Sequence, residues 1–284
     1  MSPALFVVIG FVLGLPLTWV AVYLGRRVGL LDIPTGIKTH HLAVPYTGGA
    51  AIAATLAISG IIFGLPPAVL LGGLFIWLVG LVDDIRSLPP RLKLLLEIPP
   101  LIVGVSALAL EPLVLVVAVL VGVFLVNCFN VIDGLDGLAG GVALISLLAV
   151  LWASGPSVAS SAGLLVGAIA AFLLFNLRPA RLFLGDQGSL FLGYYIWILP
   201  LASFANRPET RTVVFGALLW GFPLVNAVFV VTKRLIERRA LLIGDRGHLY
   251  DVLNERLGLR STLLVCWSIA GLSAVAAAAV MRGS

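Results

Sequence analysis

The sequence predicts an all-α, polytopic membrane protein of about ten transmembrane helices with an active-site cleft on its cytoplasmic face. Of its 284 residues, 61% are hydrophobic and only 11% are charged. The mean hydropathy of +1.15 exceeds what a protein with a single soluble core carries. Lipid cannot satisfy open backbone groups, and the apolar stretches lack the alternation of barrel strands. The spans are therefore expected to be helices.

Ten apolar runs approach the roughly 20 residues that a spanning helix needs. In chain order they are 3–25, 48–65, 67–82, 91–109, 112–130, 138–154, 158–176, 187–204, 212–232 and 262–281. The first run lacks a basic start and a cleavage site, so we expect a retained helix rather than a signal peptide. Pro99, Pro100 and Pro223 are expected to bend their helices. With no repeat and no linker, residues 1–284 are predicted to form one integral domain.

The basic residues of the connecting loops predict the orientation. If the first terminus is outside, one side carries most of the positive charge, and we expect that side to be cytoplasmic. Its basic residues are Arg26, Arg27, Lys38, Arg86, Arg91, Lys93, Arg178, Arg181, Lys233, Arg234, Arg238, Arg239, Arg246, Arg256 and Arg260. The other side has only Arg207, Arg211 and Arg282. This bias explains the net charge of +5 without a nucleic-acid partner.

Acidic motifs stand where several of these runs end or begin. Asp83 and Asp84 follow the third run, NCFNVIDGLDG spans the end of the fifth, and Asp186 precedes the eighth. Such oxygen donors, without His or Cys clusters, suit Mg²⁺ or Mn²⁺ rather than zinc. Adjacent Asp83 and Asp84 repel each other, so a bound cation, or the nearby Lys93 and Arg91, is expected to compensate their charge. The orientation places all three motifs on the cytoplasmic side.

The local geometry of these motifs fits phosphate binding, but each motif also has a purely structural explanation. Asn127, Asn130 and Asp133 are three residues apart, which on a helix places them along one face. Gly134 and Gly137 would then let backbone approach a phosphate, and the positive helix end at Asp186 would attract anions. Alternatively, the Asp pair is a solvated cap, the asparagines hydrogen-bond between helices and Asp186 is an N-cap. Taken together, the motifs favour a metal and diphosphate site.

At these residues the chain resembles the polyprenyl-phosphate N-acetylhexosamine-1-phosphate transferase family, of the glycosyltransferase family 4 type. The stretches that carry the resemblance follow the family's order and extend from residue 32 to 259. They are DIPTGIKTHHLAVPYTGG, VGLVDDIRSLPPRLKLLLE, NCFNVIDGLDGLAGG, FNLRPARLFLGDQGSLFLG and DRGHLYDVLNERLG. The resemblance implies a magnesium-dependent enzyme of the bacterial cytoplasmic membrane. It would transfer an N-acetylhexosamine 1-phosphate from a UDP-sugar to polyprenyl phosphate, releasing UMP and starting an envelope polysaccharide.

The resemblance also implies roles for individual residues. Asp186 is the expected principal Mg²⁺ ligand, with Asn130 as a second contact to the metal or the diphosphate. The expected lipid-phosphate end comprises Asp83, Asp84 and Lys93. The remaining catalytic or substrate-binding candidates are Asp133, Asp136, Asn127, Asn176, Phe183, Lys38, His40, Arg246 and His248. Among these, Asp136 is expected on the nucleotide side, Asn176 and Phe183 around the uracil, and Arg246 and His248 near the sugar and diphosphate.

One motif departs from the family pattern. The family members of peptidoglycan synthesis carry three consecutive histidines where this chain has His248-Leu249-Tyr250-Asp251, and many GlcNAc-type members carry HxHH. The departure argues against the peptidoglycan reaction and leaves the amino sugar open. A transporter or flippase of lipid-linked sugars is the alternative class, but such proteins place charge near the bilayer midplane, often with repeats. A homodimer is expected from the family alone.

Overall fold

The computed structural model describes residues 1–33, 43–204, 210–238 and 247–282. These residues form eleven α-helices and one short two-stranded sheet. In chain order the elements are α1 (Pro3–Val28), β1 (Leu31–Asp32), β2 (Val44–Pro45), α2 (Gly48–Phe63), α3 (Pro67–Arg86), α4 (Pro90–Ser106), α5 (Pro112–Asn130), α6 (Leu138–Ala153), α7 (Pro156–Asn176), α8 (Asp186–Phe204), α9 (Thr210–Leu218), α10 (Gly221–Ile236) and α11 (Leu249–Arg282). The all-α prediction is confirmed.

Nine of the ten predicted runs each correspond to one helix, whereas the run at 212–232, predicted as one continuous helix, is interrupted. It is divided into α9 and α10. Pro223 has no N–H to donate to the preceding turn, so it lies in the first turn of α10, where no donor is needed, instead of bending a continuous helix. The Ser146 and Ser273 hydroxyls donate to the Leu219 and Leu218 carbonyls at this break. The interruption is therefore a satisfied part of the fold.

Helices α7 and α8 form the interior of the bundle. In α7, 83% of the most apolar 18-residue window is buried, and nearly every side chain from Gln187 to Pro200 of α8 is buried. In contrast, α1, α3, α5 and α11 bury only 22–28% of their corresponding windows. Large apolar residues such as Val12 and Trp19 therefore face outward, as expected for helices in contact with lipid.

Five of the described helices are long and apolar enough to cross a membrane, namely α1, α3, α5, α7 and α11. Helices α2 and α6 are apolar but shorter. The α11 segment joins two helical pieces at Gly258, which has non-helical dihedral angles. The total of ten membrane spans remains a prediction.

The start of α8 is fixed by neighbouring chain segments. Strand β1 pairs antiparallel with β2, with Leu31 opposite Pro45 and Asp32 opposite Val44. Phe183 N–H donates to the Pro45 carbonyl, while Gly48 N–H donates to the Phe183 carbonyl. This backbone pairing holds the segment before Asp186 against the start of α2.

Helix α3 approaches the same point very closely because it has a glycine at the crossing. A Cβ atom at Gly80 would overlap the backbone of Asp186 and Gln187. Gly80 lies about one turn before Asp83 and Asp84, so the close approach brings both carboxylates to the start of α8. Small residues permit such contacts between membrane helices.

Candidate active site

Lys93 connects two acidic motifs that are far apart in sequence. Its Nζ lies 2.7 Å from Asp83 Oδ2 and 2.8 Å from Asp186 Oδ2. The expected lipid-phosphate end and metal end thus meet at one ammonium group. The Asp186 side chain is 37% exposed, whereas that of Asp83 is 9% exposed. Asp186 is therefore the carboxylate of this pair that a soluble ion can reach.

Both carboxylate oxygens of Asp83 are bound by protein groups. Oδ1 accepts a hydrogen bond of 2.6 Å from Leu88 N–H, and Oδ2 is occupied by Lys93. This environment suits a residue that orients Lys93 better than one that accepts a proton from substrate, because a general base must reach the proton it removes.

Asp84 caps α8. Its Oδ1 accepts from Asp186 N–H at 2.9 Å, and its Oδ2 accepts from Gln187 N–H and Gln187 Nε2, each at 3.1 Å. Gly185 adopts a positive φ of 72° immediately before this turn, which suits glycine because it has no Cβ. The sequence predicted that the start of α8 would attract anions of the substrate. In the structure, the Asp84 carboxylate occupies that position.

Asn130 completes the contacts of Asp186. Its Nδ2 donates to Asp186 Oδ1 over 3.2 Å, opposite the oxygen that accepts from Lys93. A half-turn of the amide would present the Asn130 oxygen instead, since the two amide faces differ only in donor and acceptor. The predicted metal pair, Asp186 and Asn130, is therefore in direct contact.

The predicted metal fits this donor set. Within the described ranges, no group of three or more His, Cys, Asp or Glu side chains is arranged to hold a metal by itself. Mg²⁺ commonly binds through one or two carboxylates, with water and substrate phosphates completing its shell. Asp186 and, after a half-turn of its amide, the oxygen of Asn130 would supply that small set.

Asn127 is directed away from this centre. Its Nδ2 donates to Glu97 Oε2 on α4 and to the Val123 carbonyl on its own helix. The prediction that Asn127, Asn130 and Asp133 share one face of a helix is wrong. Helix α5 ends at Asn130, and Asp133 lies in the following turn. The structure thus gives Asn127 the interhelical contact that was the alternative interpretation.

Asp133 and Asp136 lie in the turn between α5 and α6. Burial raises the pKa of Asp133 to about 8, and the negative charges of Asp186, Asp84 and Asp136 raise it further. Asp136 Oδ2 accepts from Ala180 N–H at 3.3 Å, which links this turn to the segment after α7. The Asp133 carboxyl belongs electrostatically to the acidic centre, while Asp136 lies toward residues 177–185.

Asn176 and Phe183 border that segment. Asn176 is buried, its Oδ1 accepts from Gly137 N–H at 2.9 Å, and its Nδ2 donates to the Leu182 carbonyl at 3.0 Å. These bonds give it a structural function, and its predicted contact with uracil stays a prediction. Phe183 is half-buried three residues before Asp186, and its backbone pairs with Pro45 and Gly48.

His248 lies in a packed motif. Its ring stacks on that of Tyr250, with centroids 5.2 Å apart and an angle of 4° between the planes. The Tyr250 hydroxyl donates to the Val131 carbonyl at 3.0 Å. Asn226 Oδ1 accepts from Leu249 N–H at 3.0 Å. The motif that departs from the family pattern is therefore docked onto the Asp133 turn.

Three predicted residues, Lys38, His40 and Arg246, lie outside the described residues. Conversely, Gln187 was not among the residues predicted from the sequence. Its side chain is fully buried, accepts from Trp77 Nε1 at 3.1 Å and donates to the Tyr46 carbonyl at 3.0 Å. The sequence signal that could have identified Gln187 is that it is a single amide residue in the first turn of an otherwise apolar helix.

Comparison with known proteins gives a consistent result. Residues 66–204 match the family model described as "Glycosyl transferase family 4". A probable undecaprenyl-phosphate N-acetylglucosaminyl 1-phosphate transferase of Bacillus subtilis is 29% identical over 278 residues, covering 88% of this chain and 77% of the relative. An undecaprenyl-phosphate alpha-N-acetylglucosaminyl 1-phosphate transferase of Thermotoga maritima is 31% identical over 255 residues, covering 88% and 81%.

A further relative catalyses a different named reaction. A phospho-N-acetylmuramoyl-pentapeptide-transferase of Rubrobacter xylanophilus is 35% identical over 162 residues, but that match covers only 56% of this chain and 46% of the relative. The two N-acetylglucosaminyl 1-phosphate transferases named above each match over 88% of this chain.

Proposed function

The chain belongs to glycosyl transferase family 4, and from this membership and the geometry of its acidic centre we propose that it is a sugar-1-phosphate transferase. It transfers an N-acetylhexosamine 1-phosphate, GlcNAc 1-phosphate first among the candidates, from a UDP-sugar to undecaprenyl or a related polyprenyl phosphate. The product is the first lipid-linked intermediate of an envelope polysaccharide. The names of its relatives support both the lipid acceptor and the amino sugar.

The observation that carries the proposal is the bridge of Lys93 between Asp83 and Asp186. It supports a single centre in which a cationic side chain and a metal-binding carboxylate face the same small volume. Phosphoryl transfer needs positioning and charge neutralisation more than covalent help from the protein. A transporter would instead need charged groups along a path through the bilayer.

In the proposed reaction, a phosphate oxygen of the polyprenyl phosphate attacks the β-phosphorus of the UDP-sugar. The bond from that phosphorus to the bridging oxygen breaks, and UMP leaves with the electron pair. Lys93 offsets the negative charge of the reacting phosphates, and Asp83 keeps the lysine in place. Asp186 and Asn130 would hold Mg²⁺, which supplies charge neutralisation at the diphosphate when it is bound.

The remaining residues extend the proposed site toward the donor. Asp133 interacts electrostatically with Asp186, and Asp136 accepts from Ala180 N–H in the segment at 177–185. Phe183 of that segment is proposed to contact the uracil. His248, Arg246, Lys38 and His40 are proposed for the sugar and diphosphate. We place this site on the cytoplasmic face of the bacterial inner membrane because UDP-sugars are made in the cytosol. The basic loops of the sequence support this orientation.

The test is UMP release by the purified full chain with polyprenyl phosphate and a panel of UDP-N-acetylamino sugars. We expect UMP with at least one donor, and no UMP after chelation of Mg²⁺ or with Asp186→Ala. Activity that persists in Asp186→Ala or in the chelator would contradict the metal assignment. Absence of UMP with every donor, from a folded protein, would favour the transporter class.

A further inference from the structure

Glu97 is a buried carboxyl group that the proposed reaction does not use. It lies on α4 one turn after Lys93, and its side chain has no exposed surface. Oε2 accepts from Asn127 Nδ2, whereas Oε1 has no hydrogen-bond partner among the described residues. Burying a carboxyl with one oxygen unsatisfied is costly. A methionine or leucine would avoid that cost, so the placement calls for an explanation.

The contact between Glu97 and Asn127 lies directly beneath the acidic centre. Lys93 and Glu97 are four residues apart on α4, and Asn127 and Asn130 are three apart on α5, so each pair lies on one helix face. Lys93 and Asn130 donate to the two oxygens of Asp186. The two helices are thus joined at two levels, by Asp186 above and by the Glu97–Asn127 hydrogen bond below.

The contacts of Lys93 and Asn130 with Asp186 depend on the Glu97–Asn127 hydrogen bond, because α4 is weakened just beyond Glu97. Pro99 and Pro100 lie inside the helix. Neither proline has an N–H, so the Leu95 and Leu96 carbonyls lose their usual donors four residues later. The segment that carries Lys93 is consequently less firmly held by its own helix. A side-chain bond to α5 supplies an anchor at that position.

On the basis of the proposed transferase function, we propose that Glu97 is a positioning residue of the reaction. Through Asn127 it fixes the separation of α4 and α5, and so holds Lys93 and Asn130 on opposite sides of the Asp186 carboxylate. It is not a catalytic residue, since it lies beneath the centre without exposed surface. This positioning role requires an oxygen at residue 97 that accepts the hydrogen bond from Asn127 Nδ2.

The experiment compares Glu97→Met, which keeps the volume but removes the acceptor, with Glu97→Gln, which keeps an acceptor oxygen. Leu101→Ala is the matched control, because Leu101 is fully buried one turn further along α4 and is apolar. Two readouts are needed in the full-length protein. In the first, Mg²⁺ is added without substrate, and the concentration that gives half of the maximal rise in melting temperature is recorded. The second is kcat and KM for UMP release.

We expect Glu97→Met to need about tenfold more Mg²⁺, as for other residues that orient metal ligands. Its kcat should fall about ten- to a hundredfold, since small misplacements of reacting groups cost that much. Glu97→Gln should stay within about threefold of the wild type in both readouts, because its amide oxygen accepts as the carboxylate does. Leu101→Ala should lower the melting temperature and leave kcat and the Mg²⁺ midpoint unchanged.

Two results would overturn the proposal. In one, Glu97→Met behaves as Leu101→Ala does, with lower stability and unchanged Mg²⁺ midpoint and kcat. In the other, Glu97→Gln fails as badly as Glu97→Met, which would make the carboxyl group itself the requirement. If Glu97→Met does not fold, Asn127→Ala breaks the same link from α5 and must give the same pattern. Absence of UMP from the wild type would reject the transferase function, while the Mg²⁺ titration would still test Glu97.

Discussion

Asp83 and Asp84 are adjacent in sequence but have different surroundings. Asp83 contacts Lys93 and Leu88, next to the acidic centre. Asp84 accepts three hydrogen bonds from the first two residues of α8. The first is thus suited to orienting a cation, and the second to holding a helix terminus. Sequence alone could not assign these tasks, because they depend on which way α3 turns each carboxylate.

Substitution of the two residues should therefore give different results. Asp83→Asn should reduce kcat about a hundredfold or more, as expected when a preorganised electrostatic contact is lost, with little change in melting temperature. Asp84→Ala should lower the melting temperature by a few degrees, because losing a helix cap costs about 1 kcal/mol. Thermal unfolding and UMP release on the same preparations measure both. An unchanged melting temperature in Asp84→Ala would contradict the capping role.

Asp133 predicts a dependence of stability on pH. Its pKa is raised to about 8 in the folded protein, against about 3.9 for an unperturbed aspartate. The folded state thus keeps a proton that the unfolded state has already lost. The stability that this group contributes is fully present below about pH 4 and is lost as the pH rises toward about 8.

In the presence of a chelator, the melting temperature of the wild type should therefore fall between about pH 5 and pH 8. Asp133→Asn, which cannot titrate, should show a smaller fall. Glu111→Gln serves as the control, since Glu111 is exposed before α5. Identical pH slopes for Asp133→Asn and the wild type would reject this interpretation.

At the scale of elements, the crossing of α3 and α8 determines whether the acidic centre forms. Gly80 leaves no room for a Cβ atom against Asp186 and Gln187. The sequence shows both motifs, and it shows the helices that carry them with bounds close to those observed. It does not show which helices cross, because that depends on the packing of small residues over the whole bundle.

Gly80→Ala should separate the two helices and move Asp83 away from Asp186. Overpacking of this kind costs about 1–3 kcal/mol, and kcat should fall with the melting temperature. Gly271→Ala in α11 is the control, because a Cβ there meets no atom within 4 Å. Measurements of kcat and thermal unfolding on both variants check the prediction. Full activity in Gly80→Ala would show that the contact is dispensable.

The break between α9 and α10 shows what composition could not predict at this scale. The run at 212–232 has no charged residue and is mostly apolar, so hydropathy alone predicts one continuous helix. The interruption becomes favourable because Ser146 and Ser273, from two other helices, satisfy the freed carbonyls. Such tertiary partners lie far away in the sequence.

For the whole molecule, the charged loops predict which side of the membrane each loop faces. The prediction places Ser87, at the end of α3, in the cytoplasm and Ser157, in the first turn of α7, outside. Both residues are exposed, and both native cysteines are buried. A membrane-impermeant maleimide should therefore label Ser157→Cys but not Ser87→Cys in intact cells, and the reverse in inverted vesicles. Labelling of Ser87→Cys from outside would reverse the proposed orientation.

The central claim is that the sugar leaves its donor together with one phosphate. The direct measurement uses a UDP-N-acetylamino sugar labelled in its β-phosphate, polyprenyl phosphate and Mg²⁺, followed by separation of lipid and water-soluble products. Sugar-1-phosphate transfer predicts that the label enters the lipid while unlabelled UMP is released, and that Asp186→Ala abolishes both. Labelled UDP in the aqueous phase, with an unlabelled lipid-linked sugar, would contradict the account.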